Sequence, residues 1–234
     1  MNHQKPTKLL PGALAILWTV VNIAAMVIAI NVVFALLWRP YLNPIQYAAN
    51  LLVWIPLAGG LLFGGAQAGI LTAMRIFIRP LPWFLLTLTG IFLMPLVESL
   101  ITSGLVVDSI SGLFAPDGFS GVARIAVAFL FTDSLPFSML LSAFAGLFAG
   151  IGNGLVLGGC QALVLGERRT ALRWLAGAVI GFALATTVNS AIYTWWIFTF
   201  RTDNFPYLPL LTVLLGLLYA VMTWGVLRGL LPRR

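Results

Sequence analysis

Charge is what this sequence has least of. Only 8% of its 234 residues are Asp, Glu, Lys or Arg, 61% are hydrophobic, and the mean hydropathy is +1.03. That balance excludes an ordinary soluble domain, in which about a quarter of residues are charged. Cysteine is nearly absent as well: Cys160 stands alone, so there is no intramolecular disulfide and no cysteine cluster for a metal. The single histidine, His3, precedes the first apolar run, which leaves no imidazole within the membrane to ligate haem. Glycine-rich phosphate loops, paired catalytic carboxylates, Ser/His pairs and metal-ligand spacings are missing too, and the chain is expected not to be an enzyme. The run after Lys8 is too long for the core of a cleavable signal, and no Ala-x-Ala site follows it. The formal charge of +7 does not imply nucleic acid, because the basic residues are scattered at the ends of apolar runs.

What is present is a series of long apolar runs. They place six spans at about 9–38, 45–74, 83–107, 135–166, 171–200 and 209–230, in a single transmembrane domain covering 1–234. Asn43-Pro44-Ile45-Gln46 reads as a helix start, Pro56 and Pro95 as kinks, and Thr170 as a cap for span 5. Residues 108–134 form an extracytoplasmic cap whose apolar end, 122–131, is too short to cross and reads as an interfacial or re-entrant helix before span 4. With the spans numbered in order, ten basic residues share one side: Lys5, Lys8, Arg75, Arg79, Arg168, Arg169, Arg173, Arg228, Arg233 and Arg234. The other side holds three, Arg39, Arg124 and Arg201. This bias sets both termini in the cytoplasm of a bacterial inner-membrane protein.

Small residues recur every fourth position through span 4: Ser138, Ser142, Gly146, Gly150, Gly154, Gly158, Ala162 and Gly166. In lipid such a stripe lets helix backbones approach closely. Four residues advance a helix by about 400°, so the stripe drifts about 40° per step. A drifting stripe calls for several neighbours, and span 4 is expected to be the hub of the bundle. Residues 58–71 also align with 152–165 at a constant separation of 94, matching Gly60, Gly64, Gln67 and Leu71 with Gly154, Gly158, Gln161 and Leu165. The same separation pairs Arg75 with Arg169 and Arg79 with Arg173. The expected fold is therefore an all-α six-helix membrane bundle with a parallel duplicated hairpin, spans 2–3 and 4–5. Span 6 reads as a worn third copy, with Thr223 in place of the glutamine.

The repeated Gly-x-x-x-Gly-(Gly)-x-Gln-x-x-x-Leu segment followed by Arg resembles a group of small, uncharacterised multi-pass membrane proteins of photosynthetic and related bacteria. Many of those carry Trp after the Gln, where this chain has Ala68 and Ala162. The resemblance implies a membrane fold and brings no activity with it.

Five polar residues are candidate binding groups. Gln67 and Gln161 lie two turns, about 12 Å, inside the basic helix ends, either as bonds between helices or as a polar pocket for a ligand or pigment. The surrounding glycines favour the first, since tight packing leaves little cavity. Glu98 is the one acidic residue well inside a span and is either a proton or cation site or a group bonded near the outer interface. Asn153 and Asn189, with Asn22 and Asn31, either line a solute path or bond across helices. Trp38, Trp83, Trp174 and Trp195 read as interface anchors. No haem or metal is expected, and lipid or pigment is compatible with the pattern. Two functions fit: a non-enzymatic subunit that packs within or stabilises a larger membrane complex, photosynthetic or respiratory, or a small-solute transporter or capture component with its site around Glu98. Membrane lipids and other membrane subunits are the expected partners.

Overall fold

A computed structural model describes residues 11–29, 53–74, 79–100, 135–200 and 208–230. Asn31, Trp38, the Asn43 helix start and the 108–134 cap lie outside the described residues. Six helices are present among those described: α1 (Pro11–Val27), α2 (Ile55–Ala73), α3 (Pro80–Leu100), α4 (Leu135–Ala162), α5 (Arg168–Phe200) and α6 (Leu208–Leu230). Five of them are long and apolar enough to cross a membrane, and no strand occurs among the described residues. The architecture is that of an all-α membrane bundle. Pro56 sits where a π turn at 53–54 passes into α2, and α3 runs on through Pro95, whose missing N–H deprives the Ile91 carbonyl of its donor.

The helices form a closed ring: each packs on its neighbours in sequence, and α6 returns to pack on α1. All six interfaces are antiparallel. Gly60 faces Leu88 and Gly64 faces Phe84 across α2–α3, while Gly146 faces Ser190 and Gly158 faces Ala178 across α4–α5. Gly216 faces Ile23 across α6–α1. Between these pairs, Gly90 meets Leu157 across α3–α4 and Gly181 meets Tyr219 across α5–α6.

The expectation that span 4 is a hub is overturned. Gly146, Gly150, Gly154 and Gly158 all meet α5, and a ring has no central member. From Gly146 to Gly158 the drift is about 120°, close to the width of one ordinary helix face, so a single close partner absorbs it. That partner is itself small where it touches, with Ala178, Ala183, Thr186 and Ser190 along the seam. A Cβ on Gly154 would stand 2.5 Å from the Val179 Cα, so the two backbones are in contact. Farther along the same runs the glycines do not pack: around Gly69, Gly159 and Gly166 there is open space.

The bundle is apolar outside and polar inside. Leu163, Ile16, Leu140 and Leu81 are 77%, 67%, 66% and 64% exposed, whereas Asn22, Gln67, Thr87, Gln161 and Thr223 are fully buried. Water would favour the reverse distribution; lipid favours this one. The described arginines, Arg79, Arg168, Arg169, Arg173 and Arg228, are exposed, and the antiparallel register puts them at one end of the ring. Thr170 is not the cap expected of it. It is the third residue of α5, within the first turn, and its hydroxyl donates to the Glu167 carboxylate at 2.7 Å.

Candidate functional site

The fully buried side chains of Asn22, Gln67, Thr87, Gln161 and Thr223 converge on one place inside the ring. Gln67 on α2 and Gln161 on α4 meet directly, the Gln161 amide nitrogen donating to the Gln67 carbonyl oxygen at 2.9 Å. The indole of Trp83 donates to the same Gln67 oxygen at 3.2 Å, and that of Trp174 donates to the Gln161 oxygen at 3.1 Å. An indole N–H can only donate, so each amide must turn its oxygen toward its tryptophan. The two nitrogens are then free to donate elsewhere. Gln67 donates to Asn22 at 2.7 Å, with a longer 3.5 Å contact to the Tyr219 hydroxyl. Gln161 donates its second proton to Thr87 at 3.0 Å. The Tyr219 hydroxyl donates to the Gln161 oxygen at 2.7 Å. Both amides thus use two donors and two acceptor positions.

Trp18 and Thr223 extend the network to the α6–α1 side. The Trp18 indole donates to Thr223 at 3.2 Å, and the threonine hydroxyl passes its own proton to the Tyr219 carbonyl at 2.8 Å. Asn22 donates to the Trp18 carbonyl at 2.8 Å. The three indoles cluster: Trp83 and Trp18 lie edge-on to Trp174 at 5.1 and 6.2 Å between ring centroids. Tyr219 packs edge-on against Phe63, Phe182 and Trp174.

These contacts repeat around the ring. An indole on each odd-numbered helix donates to an even-numbered one: Trp83 to Gln67, Trp174 to Gln161, Trp18 to Thr223. Four residues after each tryptophan stand Asn22, Thr87 and Ala178. The first two accept from Gln67 and Gln161; at the third, alanine faces Gly158.

The reading of Trp83 and Trp174 as interface anchors is corrected. Both are fully buried at the centre, whereas Trp195 is 42% exposed. A signal for them was present but displaced. Trp83 follows Gln67 by 16 residues and Trp174 follows Gln161 by 13, so the tryptophans are 91 apart and the glutamines 94. The three-residue difference falls in the turns at the basic end, and a constant separation of 94 steps over it. For the same reason Arg79 and Arg173 are not structural counterparts: Arg79 precedes α3, and Arg173 lies within α5.

The other candidates stand apart from this centre. Asn153 is buried on α4 eight residues, about 12 Å, from Gln161. Asn189 lies on α5 at the level of Gly146, and so is about as far from Asn153 again. Glu98 falls in the last turns of α3, and its side chain lies outside the described residues. Cys160 packs beside Gly90. Among the described residues no group of His, Cys, Asp and Glu side chains gathers that could hold a metal.

Nothing matches. Comparison with known protein families, with curated proteins and with solved structures returns no relative of this chain.

Proposed function

We propose that this chain is a non-enzymatic integral membrane subunit that packs within, or stabilises, a larger membrane assembly such as a photosynthetic or respiratory complex. One observation carries the reading. The most polar place inside the ring, the Gln67–Gln161 pair, has both amides fully engaged by neighbouring side chains. A site built to take a ligand keeps donors or acceptors for it; here they are turned on one another and hold all six helices in register. The three indoles across the middle of the ring fit a plug better than a path, and the apolar flanks of every helix remain for lipid and neighbouring subunits.

In this reading the ring is six spans in a bacterial inner membrane, with the arginine end and both termini in the cytoplasm. It is built from parallel repeats of one hairpin. Spans 2–3 and 4–5 are two copies, each pairing glycines with the following helix and an indole with a glutamine. α6 and α1 supply the same contacts from the two ends of the chain, and so make a third. The experiment is native purification from mild detergent. Stoichiometric membrane partners are the expected result; a lone, monodisperse particle with a water-filled cavity would overturn the proposal in favour of solute transport.

A further inference from the structure

The described arginines at the basic end, Arg79, Arg168, Arg169, Arg173 and Arg228, are exposed and have no ion-pair partner among the described residues. Their positions are also electrostatically unfavourable. Arg168 and Arg169 open α5 and Arg79 immediately precedes α3, where a helix N-terminus carries partial positive charge of its own. Glu167, beside them, is one carboxylate against several guanidinium groups. The helix register gathers the arginines further. With Thr87 opposite Gln161 and Gly90 opposite Leu157, the start of α3 comes level with the start of α5, which brings Arg79 to the height of Arg168 and Arg169. With Gly177 opposite Met222 and Gly181 opposite Tyr219, Arg173 comes level with the turn of α6 that holds Arg228. Both groups stand at one end of the ring, next to helix flanks that are apolar and exposed.

We infer that these two groups of arginines bind anionic phospholipid, with the phosphate of one lipid held by Arg79, Arg168 and Arg169 and that of another by Arg173 and Arg228. Guanidinium forks suit phosphate oxygens, and an acyl chain fits against the leucine-rich flanks below. Bound headgroups cancel the excess positive charge at the helix starts. This inference rests on the membrane reading and not on the identity of any partner subunit.

The test uses the full chain in mild detergent. Its thermal unfolding midpoint is followed on addition of phosphatidylglycerol or diphosphatidylglycerol, phosphatidylcholine of the same acyl chains, or inorganic phosphate. The anionic lipids should raise the midpoint and phosphatidylcholine should not. Arg173→Gln/Arg228→Gln and Arg79→Gln/Arg168→Gln/Arg169→Gln should each weaken lipid binding about fivefold per charge removed, with the corresponding Lys variants retaining part of it. Native mass spectrometry of the unsubstituted protein should find anionic lipid enriched over its share of the membrane, a readout that holds even if a variant does not fold. Equal stabilisation by phosphatidylcholine, unchanged binding in folded Gln variants, or the full shift from inorganic phosphate alone would overturn the assignment. A chain that stays in solution without detergent would instead defeat the membrane reading itself.

Discussion

The α4–α5 and α1–α2 interfaces sit in one ring and are built differently. Along α4–α5, Gly146, Gly150 and Gly154 press on the partner backbone and Gly158 on the Ala178 Cβ, and Ser142 and Thr186 donate hydrogen bonds across it to the Ser190 and Gly146 carbonyls at 2.9 and 2.6 Å. Between α2 and the end of α1 the tightest glycine contact among the described residues is Gly59 on the Cβ of Ala29, two residues past α1, at 3.8 Å, an ordinary van der Waals distance. The cross-helix bond there is a side-chain one, from Gln67 to Asn22. The corresponding positions around the ring explain the contrast. Gly90 and Gly181 let their partner backbones in so far that a Cβ on either would stand 3.1 and 3.0 Å from the Leu157 and Tyr219 Cα atoms. α1 has Ala25 at the matching place. One methyl group per helix is enough to change backbone packing into side-chain packing, so α1–α2 is the ring's seam.

The comparison breaks most sharply at Gly154. Gly154→Leu drives a side chain into the α5 backbone and should destabilise the bundle by about 3 kcal/mol or more, read as loss of folded protein in a denaturant titration. Gly69→Leu, into open space, should change stability by less than about 0.5 kcal/mol. A similar result for the two would show that helix propensity and not close approach governs these glycines.

Next in size is the centre. Gln161→Leu strands Trp174, Tyr219, Thr87 and one acceptor position of Gln67, and should cost about 2–3 kcal/mol for four bonds at the membrane average of about 0.6 kcal/mol each. It should also shift the tryptophan emission, because two of the three clustered indoles donate to this amide pair. Asn22→Ala touches only the seam and should cost about 1 kcal/mol.

Gly90→Ala and Ala25→Gly are reciprocal probes. The first should destabilise by about 1–2 kcal/mol as the α3–α4 pair is pushed apart. The second should be close to neutral, closer approach offsetting the roughly 1 kcal/mol propensity cost of glycine in a helix. Spin labels on the outer faces of α1 and α2 should then report a shorter, narrower distance distribution. The smallest effect belongs to the third hairpin. Joining the end of α6 to the start of α1 through a short linker, and opening the chain within 101–134, should leave stability and tryptophan emission nearly unchanged. A permuted chain that fails to fold would remove α6–α1 from the set of equivalent hairpins.

Much of this molecule was legible in one dimension. Long apolar runs with few charges leave a backbone no means of satisfying its hydrogen bonds in lipid except helices, so the helical bundle followed from composition and length. Gly60, Gly64, Gly154 and Gly158 were legible as contact residues because small side chains at a four-residue spacing have few other uses in lipid, and Gln67 and Gln161 because polar groups there need partners. Which partners they find was not legible. Periodicity says that a face is small or polar and is silent about which helix it meets, so the drift of the Gly146–Gly158 stripe points to several neighbours where one suffices. Tryptophan is amphipathic and equally at home at an interface or in a core; only ring closure put Trp18, Trp83 and Trp174 on the axis, where their N–H groups find the amides. That closure joins α1 to α6 across nearly the whole chain, and contacts so distant in sequence leave no local pattern to read.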